Sequence, residues 1–278
     1  MRDLPSPSPS SSRSAPSRGF AGSHQRAWLW GRHAVLETLT AGRWPVCELY
    51  TAEGLPADLQ QQLHQLAAAH NIPIQTVPSN RLEQLCRQPD HQGLAARMTE
   101  FPLQSAADLT TAVQQAVAVA NSTTLPPLFV MLDRLQDPWN FGAILRCCDA
   151  VRAAGVVIGT KSQSSVTPHV ARSSSGAINH LKLFQVPSLL DCLPDFRAAG
   201  FRIAAASEKS TQQLWDTDLS GPLLLVIGSE AAGVDSQLLA ASDLHAAIPM
   251  LGQVTSLNAA VAAGILLYEC RRRSRSQS

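Results

Sequence analysis

The sequence has no uninterrupted apolar run near the roughly 20 residues that span a bilayer, so no membrane association is expected. Its six cysteines (Cys47, Cys86, Cys147, Cys148, Cys192 and Cys270) form no CxxC pair, and the adjacent Cys147 and Cys148 are poorly spaced for a metal. They read as small buried hydrophobes in a reducing compartment. The eight histidines show no HExxH or other ligand spacing, so no metal is expected. Charge is scarce too: 15% of residues are charged and the formal net charge is +1. That gives no overall basic field of the kind nucleic-acid binders often carry, though a local basic face stays open.

Missing motifs exclude more. No GxGxxG follows an apolar run, which disfavours a dinucleotide site, and no GxSxG elbow supports a hydrolase. Gly228 and Gly233 have phosphate-loop spacing, but Val234-Asp235 stands where Lys-Ser/Thr is needed. Without that lysine the loop lacks its phosphate counter-charge, so ATP or GTP hydrolysis is not expected.

What is present is enough chain, 278 residues, for two modest domains. Residues 1–26 are rich in Ser and Pro with several Arg and one acid, Asp3. Such a segment buries too little surface to offset its ordering entropy and is expected to be disordered. It has no apolar h-region, so a cytoplasmic protein is expected, with an organellar one as the alternative. Residues 27–100 alternate strand-like and helical runs and read as a small α/β domain: helices from Gly31, over Ala57–His70 and over Asn80–Cys86, strands at Val46–Thr51, Ile72–Val77 and Leu94–Met98. Residues 101–124 read as a linker carrying one helix, Ala106–Ala120. From residue 125 to 278 short apolar strands alternate with helices, the pattern of a mostly parallel sheet covered on both faces. The strands are expected at Leu128–Leu132, Val156–Ile158, Leu181–Val186, Arg202–Ala206, Leu223–Ile227 and Ala246–Pro249, and the helices include Val166–Ile178, Ser188–Ala199 and Leu257–Arg272.

Three polar pieces stand at strand ends, where such sheets bind ligands. They are Asp137-Pro138-Trp139-Asn140-Phe141-Gly142 with Arg146 beyond, Gly228-Ser229-Glu230-Ala231-Ala232-Gly233, and Ile248 to Asn258. Each polar residue has a structural reading on its own. Asn140 and Ser256 could cap helices, Asn258 could be a first-turn residue, Arg146 could pair at the surface, and Glu230 could complement a helix dipole. Together Asn140, Arg146, Glu230, Ser256 and Asn258 offer one cation, one carboxylate, two amides and a hydroxyl. The set has no strong nucleophile and suits a transferase that works by proximity and a polarised acceptor.

These residues resemble the three motifs of the SpoU/TrmH family in the SPOUT superfamily, S-adenosylmethionine-dependent RNA ribose 2′-O-methyltransferases. The matching runs are Asp137 to Arg146, Gly228 to Gly233 and Ile248 to Asn258, with Ser175-Gly176-Ala177 between the first two. Gly31-Arg32-His33-Ala34-Val35 and His91 to Ala96 resemble, more loosely, the ends of an L30e-like RNA substrate-binding domain. The resemblance implies a trefoil knot in the C-terminal α/β domain and a homodimer. It implies S-adenosyl-L-methionine held by the backbone of Gly228, Ile248 and Leu257, and a catalytic set of Asn140, Arg146, Glu230, Ser256 and Asn258. It implies an RNA partner: a guanosine in large-subunit ribosomal RNA is favoured, tRNA is the alternative, and a non-catalytic RNA-binding protein the more distant one. A guanidinium stays protonated near neutral pH, so Arg146 reads as a phosphate-binding, oxyanion-stabilising group rather than a base. Arg26, Arg32, Arg43, Arg146, Lys161, Arg172 and Lys182 could form a basic face, and Arg271-Arg272-Arg273 with Arg275 reads as a solvated helix end.

Overall fold

The computed structural model describes residues 28–120 and 125–275. The Ser/Pro-rich segment 1–26, expected to be disordered, lies outside the described residues, as do Arg26 and residues 121–124. The N-terminal module runs β1 (Trp28–Trp30), α1 (Arg32–Ala41), β2 (Val46–Ala52), α2 (Ala57–Ala69), β3 (Ile74–Val77), α3 (Ser79–Cys86) and β4 (Leu94–Met98). Its sheet is mixed, in the order β1-β4-β2-β3, with only β2 and β3 parallel. Next comes α4 (Ala106–Ala120). Its Leu109, Ala112 and Val113 are buried in the core of the C-terminal module, and Gln104 just before it bridges to that module's edge.

The C-terminal module continues with β5 (Leu128–Leu132), α5 (Pro138–Ala150), β6 (Gly155–Gly159), α6 (Pro168–Ser173), β7 (Leu183–Val186), α7 (Leu193–Ala198), β8 (Arg202–Ala206), β9 (Leu223–Ile227), α8 (Ser236–Ala240), β10 (Leu244–Ala246) and α9 (Ala259–Arg275). Six strands pair in parallel in the order β10-β8-β9-β5-β6-β7. Strand alternation divides the core between two faces. Leu128, Val130 and Leu132 pack with residues of α5, α6 and α9. Phe129 and Met131 face the other way into a ring cluster with Phe184, Phe196 and Phe201, beside α4 and α7. The sheet is therefore buried on both sides, as continuous apolar strands require.

Local chemistry moves several expected boundaries. The helix expected over Val166–Ile178 is broken: Ser175 and Gly176 adopt φ of 52° and 85°, and a short 3-10 turn follows at Ala177–Asn179. The stretch Ser188–Ala199 divides into a 3-10 turn and α7, with Pro194 in the first turn of α7. The last strand pairs earlier than expected, at Leu244–Ala246, because its partner β8 ends at Ala206. Beyond Ala247 the chain leaves the sheet as an irregular loop to residue 258. Arg271 is not solvated either. Its guanidinium donates to the carbonyls of Pro126, Val151 and Arg152, and burial lowers its pKa. Arg272 and Arg273 both bond the buried Glu269 carboxylate.

The two modules share an apolar core, since Val35, Leu39 and Trp44 belong to the same buried cluster as Ile144, Val170 and Ile178. Polar contacts mark the seam. Arg172 on α6 bonds Asp90 at 2.7 Å and lies 4.7 Å over the Trp30 ring. His180 meets Glu37 at 2.7 Å, Asn179 donates to Thr38 at 3.2 Å, and Arg43 donates to the Leu181 carbonyl. Arg43 thus faces the seam rather than a basic face. Partly exposed pairs of this kind add at most about 1 kcal/mol each, so apolar burial carries most of the seam.

Candidate active site

The site forms where β5 and β9 end side by side, Leu132 paired with Ile227. After β5, Asp137 caps α5 by accepting from the backbone N–H of Trp139 (3.0 Å) and Asn140 (3.4 Å), with Pro138 at the first helical position. Capping by Asp137 frees the Asn140 side chain for another task. Gly142 lets α5 meet α6: a Cβ there would stand 1.8 Å from Ser173 Oγ and 2.7 Å from the Val170 carbonyl oxygen. This motif glycine therefore serves helix packing.

After β9 the chain makes a tight loop. Ser229 and Gly233 exchange two backbone hydrogen bonds of 3.2 and 2.9 Å, and Ala232 N–H donates to Ser229 Oγ. Gly228 lies against the returning backbone, where a Cβ would come within 2.0 Å of the Gly233 carbonyl carbon. Asp133, buried at the end of β5, fixes the loop exit by accepting from Asp235 N–H at 2.8 Å, and it also holds Arg134. Sequence reasoning missed Asp133; an acid directly after a fully apolar strand was the available signal.

The loop from Ile248 delivers the third piece. Asn258, not Ser256, caps α9, its Oδ1 accepting from Ala260 N–H (2.9 Å) and Val261 N–H (3.3 Å). Its Nδ2 donates to Asn140 Oδ1 at 2.9 Å, and Asn140 Nδ2 donates to Glu230 Oε1 at 2.6 Å. One hydrogen-bonded chain, Asn258–Asn140–Glu230, therefore joins all three sequence motifs. Beside it opens a cavity of about 550 Å³ lined by Gly228, Glu230, Ile248, Ser256 and Leu257, with Leu266 of α9 beneath. Such a volume suits a small-molecule ligand. Arg146 stands apart. It lies farther along α5, exposed, and donates to Ser175 Oγ at 3.0 Å in the broken turn after α6.

Burial disfavours the thiolate form at several cysteines. Burial pushes Cys148 far above its ordinary range, Cys270 up to about 12 and Cys192 up to about 11. Cys47 and Cys147 are half-buried, and burial raises Cys147 as well. Among the described residues no three His, Cys, Asp or Glu side chains cluster as a metal site, and no helix is long and apolar enough to cross a membrane.

Residues 127–268 match the SpoU rRNA methylase family, and residues 28–104 match the substrate-binding domain of RNA 2′-O ribose methyltransferases. The chain belongs to the SpoU/TrmH family of RNA 2′-O-methyltransferases. Among SpoU/TrmH relatives it is 35% identical over 251 residues to YacO of Bacillus subtilis (strain 168), named for TrmH family tRNA/rRNA methyltransferases, covering 90% of this chain and 97% of that one. It is similar to the SpoU methyltransferase AviRb of Streptomyces viridochromogenes, solved with AdoMet, at 27% identity, TM-score 0.71 and 90% coverage of each chain. A solved RNA 2′-O ribose methyltransferase shows 26% identity, TM-score 0.68 and 92% coverage of each chain. The span matched to the methylase family contains all three runs that the Asn258–Asn140–Glu230 chain ties together.

Proposed function

We propose that this protein methylates the 2′-hydroxyl of a guanosine ribose in large-subunit ribosomal RNA, with S-adenosylmethionine as donor, as a cytoplasmic homodimer. The observation that carries the reading is the Asn258–Asn140–Glu230 chain at the rim of the cavity. The cavity suits the donor: Ile248, Leu257 and Leu266 offer apolar surface to a nucleoside, and the Gly228 and Leu257 backbones offer polar groups beside it. When bound, S-adenosylmethionine supplies an electrophilic sulfonium methyl.

The chain's own residues then have separable tasks. A ribose hydroxyl is a weak nucleophile whose oxygen gains negative charge as its proton leaves. Arg146, an exposed guanidinium outside the cavity lining, binds an RNA phosphate and steadies that oxygen when the bound RNA bridges the two places. Ser175 fixes the direction of its guanidinium. Ser256 and Asn258 orient the hydroxyl, while Asn140 transmits the position of one motif loop to the other. Glu230 is held by Asn140 and keeps the loop after β9 in place.

The N-terminal module supports an RNA substrate, since residues 28–104 match the substrate-binding domain of RNA 2′-O ribose methyltransferases; ribosomal RNA is the target proposed. The dimer is supported by apolar side chains left open on α9 and the loop before it, including Leu251 (98% exposed), Val254, Val261 and Tyr268. The knot is supported by the path after β10, which runs from the sheet edge past the ends of β8 and β9 before α9 settles on α5. The test is transfer of labelled methyl to ribosomal RNA and to tRNA, followed by mapping of the modified ribose. Label on tRNA alone overturns the ribosomal target. Arg146→Ala should keep donor binding in calorimetry and lose on the order of 10²-fold or more in transfer; turnover like wild type removes Arg146 from the reaction.

A further inference from the structure

Trp139 sits between Pro138 and Asn140 in the first turn of α5, and 56% of its surface is exposed. The helix does not need it there. Asp137 caps the turn, and Phe141, Ile144 and Leu145 bury the inner face. One exposed ring is ordinary by itself, so what matters is where it stands: beside Asn140, at the end of a row of rings.

Its neighbours supply one. The Trp139 ring meets His169 of α6 at 5.9 Å between centroids and 63° between planes. His169 meets Trp30 of β1 at 4.9 Å and 82°. Arg172 lies over Trp30 and is anchored by Asp90, which also accepts from Trp30 Nε1 at 3.0 Å. Three rings therefore run from the N-terminal module across the seam to the residue before Asn140. Trp30 is buried and His169 half-buried, so Trp139 is the member with an open surface. Burial and the Arg172 charge hold His169 below the usual histidine range, so the ring behind Trp139 is neutral at neutral pH.

We propose that Trp139 is a stacking shelf for one unpaired RNA base next to the ribose being methylated. A flat, sequence-tolerant π-surface is what single-stranded RNA recognition uses. A base stacked on Trp139 would pin the strand close to the Asn258–Asn140–Glu230 chain while the rest of the RNA lies toward the N-terminal module. The assignment rests on RNA being the substrate, as proposed above.

The test uses the full chain and a fluorescein-labelled unstructured RNA oligonucleotide, with its duplex as control. Trp139→Ala should weaken single-strand binding in fluorescence anisotropy by about tenfold and leave duplex binding unchanged. Trp139→Phe should retain most of the single-strand affinity. The tryptophan fluorescence quenched by RNA in the wild type should shrink in Trp139→Phe. Unchanged S-adenosylmethionine binding in calorimetry checks that both variants are folded. Single-strand affinity unaltered in Trp139→Ala overturns the shelf, and so does sedimentation showing that this variant loses only self-association. If the wild type binds RNA through Trp139 but transfers no methyl, the proposed reaction fails while the shelf stands.

Discussion

The two loops that enclose the cavity are built in opposite ways. The one after β9, Gly228 to Gly233, is stitched by reciprocal backbone bonds, backed by buried Asp133 and packed so tightly that Gly228 has no room for a Cβ. The one after β10, residues 249–258, is fastened at its ends. Ala247 N–H donates to the Gln212 carbonyl, Asn258 bonds Asn140, and residues 250–258 between are all exposed. One wall is finished by the single chain. The other has its side chains facing water, where a bound ligand or a second copy of the chain can bury them. Residues 228–233 hold the cavity's shape, while the loop of residues 249–258 borders it with side chains left open.

Substitutions can break this contrast. The largest effect should come from Gly228→Ala, because its methyl meets backbone that has nowhere to go. Overpacking of this kind costs about 3 kcal/mol, and donor binding in calorimetry should be lost. Near-normal binding would mean that the finished wall is more pliable than its contacts indicate. Asp133→Ala should come next. It strands the Asp235 N–H and leaves the Arg134 guanidinium only its longer pair with Asp235 at 3.7 Å, at about 2 kcal/mol in urea unfolding, with weaker donor binding. The smallest effect on stability should be that of Leu251→Ser in the open wall, within about 0.5 kcal/mol, while sedimentation shows weaker self-association. A large stability loss there would show that one chain alone packs this loop.

Much of the C-terminal module was legible because its strands are continuous apolar runs: Leu128–Leu132, Arg202–Ala206 and Leu223–Ile227 stand where the sequence places them. The polar ends of those strands were legible too, since Asn140, Glu230 and Asn258 do meet. What escaped depends on partners distant in sequence. Trp28–Trp30 is a strand because β4 pairs with it, and three residues carry no periodicity of their own. The Ser175–Gly176 break answers to packing between α6 and the N-terminal module, where a Cβ on Gly176 would meet Glu37 Cγ at 2.4 Å. Arg271 looked solvated because its three carbonyl partners lie more than a hundred residues earlier. Arg146 was grouped with the other site residues by motif, yet the fold gives it to Ser175, away from the cavity rim.

The seam between the modules has a consequence for target choice. The N-terminal module joins the same buried core as the helices that carry the site, with Arg172–Asp90 and His180–Glu37 along its border. An arm on a loose tether samples many spans and accepts any target within reach. Two jaws set at one opening act as a caliper. Under the proposed function, an RNA gripped by the first jaw would present to Asn140 only the ribose that lies one fixed span away, and a correct nucleotide at the wrong span would be passed over.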